Sequence, residues 1–165
     1  MQYLLVMVLF FSWLITGFAE GASELQRDSL RGLPGVVVVV EDIRPDAKRD
    51  GVSEEEIRTA VELILRSSGI RILTDGIIPD DPAMLVINIG ASKSPTIPLY
   101  GFCITGQLTQ WAYLVKQSGR RTSATTWGDG FSGLVSSQRL KAFVIEHVES
   151  LAKSFANDFL SVNPR

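Results

Sequence analysis

One stretch of the sequence, residues 100–117, alternates apolar and polar side chains with a period of two over most of its length. A period of two places successive side chains on opposite faces of a β-strand. The apolar set comprises Phe102, Ile104, Leu108, Ala112 and Leu114. A strand of this kind needs a core on one side only, so the alternation predicts a sheet that is covered on one face and partly solvated on the other.

The alternating strand is expected to form a hairpin with the segment that follows it. Residues 118–119 are a turn signal, and residues 122–127 are rich in threonine, which favours a second strand. A loop with an even number of residues would pair Trp111 with Thr126 and would turn Trp127 toward the core. Tyr113 would then face Ala124. We therefore expect one tryptophan inside the protein and one on its surface.

Two further segments carry clear structural signals. Five consecutive valines, Val36 to Val40, form a β-branched run that favours a strand buried on both faces, and we expect it at the centre of the sheet. Ser53 stands three residues before Glu56, which is capping-box spacing, and an apolar stripe at helical spacing follows. Gly69 is placed to end that helix in the left-handed conformation.

The last part of the chain predicts a long helix. Gly128-Asp129-Gly130 is expected to end the hairpin, because it reads as a turn more readily than as a calcium loop, which would need further Asp or Asn ligands and a closing Glu. Ser136 or Ser137 then caps the helix, which ends before Asn163-Pro164.

The order of these elements predicts the fold class. With short strands over residues 70–73 and 84–91, the order is β-α-β-β-β-β-α. This order corresponds to an α+β two-layer sandwich, in which a mostly antiparallel sheet of about five strands carries two helices on one face. We expect a single domain over residues 33–163, preceded by a polar tether over residues 20–32.

The first 19 residues have the character of a signal peptide. No charged residue occurs from Tyr3 to Ala19, and small residues occupy positions 17 and 19, as a signal peptidase requires. Residues 1–3 contain no Lys or Arg, so an uncleaved N-terminal membrane anchor is the alternative. Cleavage after Ala19 would release the domain into the periplasm or the extracellular space. No cysteine lies near this site, so we do not expect the lipid attachment of an ordinary bacterial lipoprotein.

Composition limits the remaining function classes. The chain has 16 basic and 18 acidic residues, a net charge of −2 and no basic run, which argues against a dedicated surface for nucleic acid or anionic membranes. Cys103 is the single cysteine, so no intramolecular disulfide can form, and no Cys/His spacing typical of zinc sites occurs. We expect neither a metal nor a cofactor, and the oligomeric state stays open.

Three segments carry a resemblance to a known group of proteins. They are residues 33–42 (LPGVVVVVED), 124–127 (ATTW) and 157–164 (NDFLSVNP). The chain resembles a group of small uncharacterised exported bacterial proteins. Its element order is also similar to the N-terminal domain of the Tol-system periplasmic propeller protein and to the curli-secretion and penicillin-binding-protein-activator lipoproteins. These resemblances imply an α+β fold and a role in the cell envelope, and they supply no catalytic residue.

An enzymatic function would depend on His147, the one histidine in the sequence. Ser132 and Asp129 could complete a hydrolase triad with it. However, no Gly-x-Ser-x-Gly elbow is present, and the spacing from Val144 and Leu151 places His147 on or beside the buried stripe of the final helix. A packed helical histidine is the favoured interpretation, and a periplasmic hydrolase is kept as the alternative.

The feature with the strongest functional signal is the polar face of the hairpin. Exposed tryptophan and tyrosine side chains tend to mark contact surfaces. The predicted partner-binding residues are Thr105, Gln107, Thr109, Trp111, Tyr113, Thr122 and Thr126. We therefore expect a non-enzymatic envelope module that binds a protein or another envelope component. A small-ligand carrier is a further alternative, which would need an apolar pocket of at least roughly 300 Å³ between helices and sheet.

Overall fold

A computed structural model describes residues 22–74, 80–117 and 119–164. The signal segment predicted over residues 1–19 lies outside these residues, and its cleavage stays a prediction. Among the helices that are described, none combines the length and the apolar character that crossing a membrane requires.

Four strands of the described chain form one sheet in the order β1-β2-β3-β4. Strands β1 and β2 are parallel, and the other two neighbouring pairs are antiparallel. The strands are β1 (Val37–Val40), β2 (Met84–Lys93), β3 (Leu99–Tyr113) and β4 (Arg121–Ser136). The helices are α1 (Glu24–Asp28), α2 (Pro45–Arg49), α3 (Glu54–Ser67) and α4 (Leu140–Val162), and a 3₁₀ turn at Ser137–Arg139 leads into α4. This architecture confirms the predicted α+β class.

The strand count differs from the expected five. Where a strand was predicted over residues 70–73, the structure has an isolated parallel bridge between Val36 and Ile72. Gly35 explains the close approach of the two segments: its φ is 153°, and a Cβ at this position would lie 2.4 Å from the carbonyl oxygen of Arg71. A single bridge does not extend the sheet by a strand, and the sheet has four strands within the described residues.

The valine strand lies at an edge of the sheet, not at its centre as predicted. Val38 and Val40 are buried against the helices, whereas Val37 and Val39 are only half-buried on the other face. The edge is nevertheless protected, because the Arg58 guanidinium of α3 donates to the Val38 carbonyl at 2.9 Å. Covering one edge in this way hides part of a row of unpaired backbone groups.

The register of the β3–β4 hairpin also differs from the prediction. Trp111 pairs with Ser123 and not with Thr126, and the register shifts between Leu108 and Thr109. Thr126 is the extra residue of this β-bulge. The regular register of the hairpin end would place Trp127 opposite Gln107 on the uncovered face. The bulge moves it opposite Leu108, and Trp127 is therefore buried, as expected, although for a different reason.

Strand β4 continues through Gly128-Asp129-Gly130, where a break was predicted. Gly130 lies against the partner strand so closely that a Cβ would come within 2.9 Å of the Ile104 carbonyl oxygen. Here glycine permits tight strand packing instead of a turn. The long β4 strand consequently delivers the chain directly to the start of α4.

The helix boundaries are partly as expected. The Ser53 hydroxyl accepts a hydrogen bond from the Glu56 amide, and Gly69 has a φ of 75°. Neither Ser136 nor Ser137 caps α4, because the 3₁₀ turn intervenes and Arg139 occupies the N-cap position without a side-chain hydrogen bond.

The polar tether predicted over residues 20–32 is wrong for its described part. Helix α1 begins with a capping box between Ser23 and Gln26, and Leu30 is fully buried. The Asn163 side chain donates to the Leu30 carbonyl and accepts from the Gly32 amide. The segment has no periodic apolar pattern, because one buried leucine and hydrogen bonds to the distant end of the chain hold it in place.

Candidate functional site

The sheet has two unlike faces. Helices α3 and α4 pack on one face, where Val38, Leu85, Ile104 and Leu108 are buried. On strand β3, the alternate residues point to the other face, which no described helix covers. Five of the seven predicted binding residues lie there: Thr105, Gln107, Thr109, Trp111 and Tyr113. We call these five residues the open-face patch.

The other two predicted residues lie on the opposite side of the sheet. Thr122 pairs with Ala112, and directly paired residues share a face. The Thr126 hydroxyl accepts a hydrogen bond from the Gln110 side chain at 2.7 Å, and that same Gln110 amide donates to the Ser29 carbonyl. The predicted register put both threonines on the same face as Trp111, and the bulge could not be predicted from the sequence.

An apolar band adjoins the open-face patch. In the sheet register Met84 lies between Val37 and Thr109, and Val86 lies between Val39 and Gln107. The band therefore comprises Val37, Val39, Met84 and Val86, all of which are half-buried. Because the prediction considered the hairpin alone, it did not include these residues. Their signal was the continuous apolar character of both segments, which exceeds what a core on one side requires.

Trp111 is held in place by a cation. The Arg121 guanidinium lies over its ring, 4.8 Å from the centroid, and pairs with the Asp81 carboxylate at 2.6 Å. Beside this group is a cleft of about 190 Å³, lined by Leu33, Pro34, Gly35, Leu73, Asp81, Ala83, Gln110, Trp111, Tyr113 and Arg121. The cleft lies at a corner of the sheet and is smaller than the roughly 300 Å³ expected of a pocket for a small molecule. It therefore does not support the carrier alternative. Two larger openings, of about 430 and 620 Å³, are lined by residues of α3, α4 and the turn before α4 and by no strand residue, so neither is the expected pocket between helices and sheet.

The three residues of the hydrolase alternative are not brought together. His147 stacks on Phe143 and meets the edge of Phe131 on the covered side of the sheet. Ser132 follows Phe131 in β4 and pairs with Cys103, so it lies on the open face with the sheet between it and His147. The His147 Nδ1 atom is 2.9 Å from the Phe143 carbonyl oxygen, and the Asp129 carboxylate accepts from the Gly130 amide. His147 is thus a packed helical histidine.

The acidic residues near β1 serve as structural partners. Glu41 accepts a hydrogen bond from Asn88, while Asp42 and Glu54 both bind the Lys48 ammonium group. The Lys48 hydrogen bond, together with the backbone amides of Glu54 and Ile43, lowers the pKa of Glu54 to about 2. Over the described chain, no group of three or more His, Cys, Asp or Glu residues is placed to hold a metal ion.

A second charged cluster lies at the far end of β3. Tyr100 is fully buried, and its hydroxyl donates to Asp50 at 2.8 Å. Burial and this hydrogen bond raise the pKa of Tyr100 to about 12. Lys93 binds the same carboxylate at 2.7 Å, and the hydrogen bonds from Lys93 and Tyr100 lower the pKa of Asp50. The cluster ties the segment after α2 to the sheet.

Comparison with known proteins leaves the family open. No family model matches the sequence, and no curated protein matches it. Among solved structures, the chain is similar to a minor lipoprotein from Acinetobacter baumannii, with a TM-score of 0.41 and 8% sequence identity. The match covers 81% of this chain and 95% of that one. A TM-score of 0.41 is too low to transfer the fold or the function of that lipoprotein to this chain.

Proposed function

We propose that this chain is an exported, non-enzymatic protein of the cell envelope, located in the periplasm or outside the cell, that binds a partner protein through the open-face patch and the apolar band. The observation that carries the proposal is the exposure of Trp111 and Tyr113, 47% and 71% respectively, beside four half-buried apolar side chains. Aromatic residues in such positions are the usual anchors of protein interfaces.

The geometry of Trp111 favours binding further. Because Arg121 lies over the ring and Asp81 fixes Arg121, the indole is restrained before any partner arrives. Restraining an anchor in advance lowers the entropy that association would otherwise lose. The same cation is available to a carboxylate on the partner by exchange with Asp81.

The size of the surface suggests the strength of the contact. Four strands spaced about 4.8 Å apart and some nine residues of β3 span an area on the order of 500 Å². Stable complexes bury about 800 Å² on each partner, and smaller contacts are typical of transient complexes. We therefore expect a reversible interaction rather than a permanent assembly.

The proposal is tested by capturing partners from an envelope extract with the full chain. Trp111→Ala combined with Tyr113→Ala removes the aromatic anchors, and Gln107→Arg independently obstructs the middle of the face. Leu25→Ala combined with Leu63→Ala is the matched control, because these leucines are 83% and 66% exposed elsewhere on the surface. We expect both open-face variants to capture at least about tenfold less of the partner, since hot-spot residues contribute about 2 kcal/mol or more to binding. The control should capture as much as the wild type. The same partner yield in all variants would contradict the proposal.

A further inference from the structure

The end of the β3–β4 hairpin projects beyond the rest of the sheet. Strand β2 pairs with β3 only as far as Thr109, whereas β3 and β4 remain paired up to Tyr113 and Arg121. The final four residue pairs form a two-stranded ribbon of about 14 Å. Backbone hydrogen bonds between Leu114, Gln117 and Arg120 close its turn.

This projecting end exposes apolar side chains. Val115 is 98% exposed, Tyr113 71% and Leu114 41%. With the two basic residues Lys116 and Arg120 they form what we call the hairpin tip. Burying an exposed apolar side chain is favourable, so consecutive exposed apolar residues at a projecting end tend to mark a contact surface.

The charge of this region is the opposite of that of the whole protein. The chain carries a net charge of −2, yet no Asp or Glu occurs from residue 82 to residue 128, while Lys93, Lys116, Arg120 and Arg121 do. Lys93 pairs with Asp50, and Arg121 pairs with Asp81. Lys116 and Arg120 form no ion pair with any described carboxylate, so their charges are available at the tip itself.

We propose that the hairpin tip docks on an anionic lipid surface. Val115 and Leu114 would enter the boundary between headgroups and acyl chains. Tyr113 would lie at headgroup level, as tyrosines at membrane interfaces do, and Lys116 and Arg120 would contact lipid phosphates. The apolar groups of this projecting turn match the apolar interior of the bilayer, and its basic groups match the negative charge of the lipid phosphates. The net charge of the whole sequence indicates no anionic-membrane surface, because a net charge does not show that basic residues are concentrated at one end of the hairpin.

This proposal does not depend on the partner-binding function. The hairpin tip and the open-face patch share only Tyr113, and Gln107 and Thr109 lie in the part of β3 that is paired with β2. A variant at Val115 therefore tests lipid docking alone, while Gln107→Arg tests partner binding alone.

The test places an environment-sensitive fluorophore on the tip of the full chain. The exposed Cys103 is replaced by Ser, and Val115→Cys supplies the one labelling site. In a matched control the label is at Leu134→Cys, which is 73% exposed on the open face away from the tip. Each protein is mixed with vesicles of phosphatidylcholine containing phosphatidylglycerol, and with vesicles of phosphatidylcholine alone.

The proposal expects a blue shift of the label at position 115 with the anionic vesicles, and little or none at position 134 or with neutral vesicles. Adding Lys116→Gln and Arg120→Gln should weaken vesicle binding about 25-fold, because each basic residue near an anionic surface contributes about fivefold. Equal shifts at both label positions, equal shifts on neutral vesicles, or no shift at position 115 would each overturn it. The N-terminal segment carries no charged side chain from Tyr3 to Ala19, so its insertion would occur on neutral vesicles as well, and the neutral vesicles therefore separate it from docking of the tip.

Discussion

The aromatic residues of β3 and β4 divide between the two faces of the same sheet. On the covered face, Tyr100 and Trp127 are almost completely buried, and each has its polar atom hydrogen-bonded to a carboxylate, Asp50 and Asp158 respectively. On the open face, Trp111 and Tyr113 remain exposed. Residues of the same chemical type are therefore part of the core on one side of the sheet and remain exposed on the other.

One residue decides on which face Trp127 lies. The bulge at Thr126 shifts Trp127 to the covered face, where its ring meets Phe155 edge-on at 5.0 Å. On the far side of the bulge, toward the hairpin end, Trp111 stays on the open face. A single inserted residue thus places Trp127 in the core, whereas the alternation along β3 keeps Trp111 exposed on the open face.

Trp127→Ala should have the largest effect on stability. The substitution removes a fully buried ring and leaves a cavity beside Phe155, so we expect the free energy of unfolding to fall by about 3–5 kcal/mol. Urea denaturation followed by circular dichroism measures the change. Trp127→Phe keeps an aromatic ring beside Phe155 and loses the Asp158 hydrogen bond and part of the ring volume, so it should cost less than the alanine variant. A loss below about 1 kcal/mol for the alanine variant would show that this ring is not a core element.

Tyr100→Phe should have a smaller effect. It removes the hydroxyl that donates to Asp50 and preserves the buried ring, and a hydrogen bond to a charged group contributes about 1.5–3 kcal/mol. Lys93 still binds Asp50 in the variant, so we expect the lower end of this range. Equilibrium unfolding of the variant measures it, and Tyr113→Phe on the open face, which should leave stability unchanged, is the matched control.

The acid sensitivity of the covered side should depend on Glu54. Its pKa is lowered from its ordinary 4.5 to about 2 in the folded protein. The stabilisation from this group is therefore fully present above about pH 4.5 and is lost as the pH falls toward 2. In Glu54→Gln, stability should decline less steeply over this window, whereas Glu55→Gln, at the exposed neighbouring position, should follow the wild type. Identical pH profiles for all three proteins would refute this role for Glu54.

Trp111→Ala should have the smallest effect on stability. The side chain is nearly half exposed and its ring contacts the Arg121 guanidinium, so we expect a change of less than about 1 kcal/mol. Thermal unfolding monitored by circular dichroism measures it. A loss comparable to that of Trp127→Ala would remove the distinction between the two faces.

Much of the fold could be predicted because its signals are local. The alternation after Tyr100, the cap at Ser53 and the glycine at Gly69 each act within a few residues, and the structure has the corresponding strand and helix ends. What could not be predicted depends on distant contacts. Leu30 is fixed through Asn163, and the valine strand lies at the edge of the sheet, where the distant Arg58 side chain donates to its backbone.

The candidate site could be predicted only in part for the same reason. Alternation along β3 is local, and it identified the open-face patch correctly as one set of side chains. The placement of Thr122 and Thr126 depends on cross-strand register, which the bulge changes. The apolar band depends on which strands become neighbours, and this is a property of the whole sheet.

Site-specific photo-crosslinking in living cells tests most directly whether the open face, and not the helix-covered side, binds a partner. A photoreactive phenylalanine analogue placed at Gln107 probes the open face, and the same analogue at Leu63 probes the exposed surface of α3 on the covered side. The account predicts a discrete crosslinked partner from Gln107 and none from Leu63. The same crosslinked species from both positions, or a partner from Leu63 alone, would contradict it.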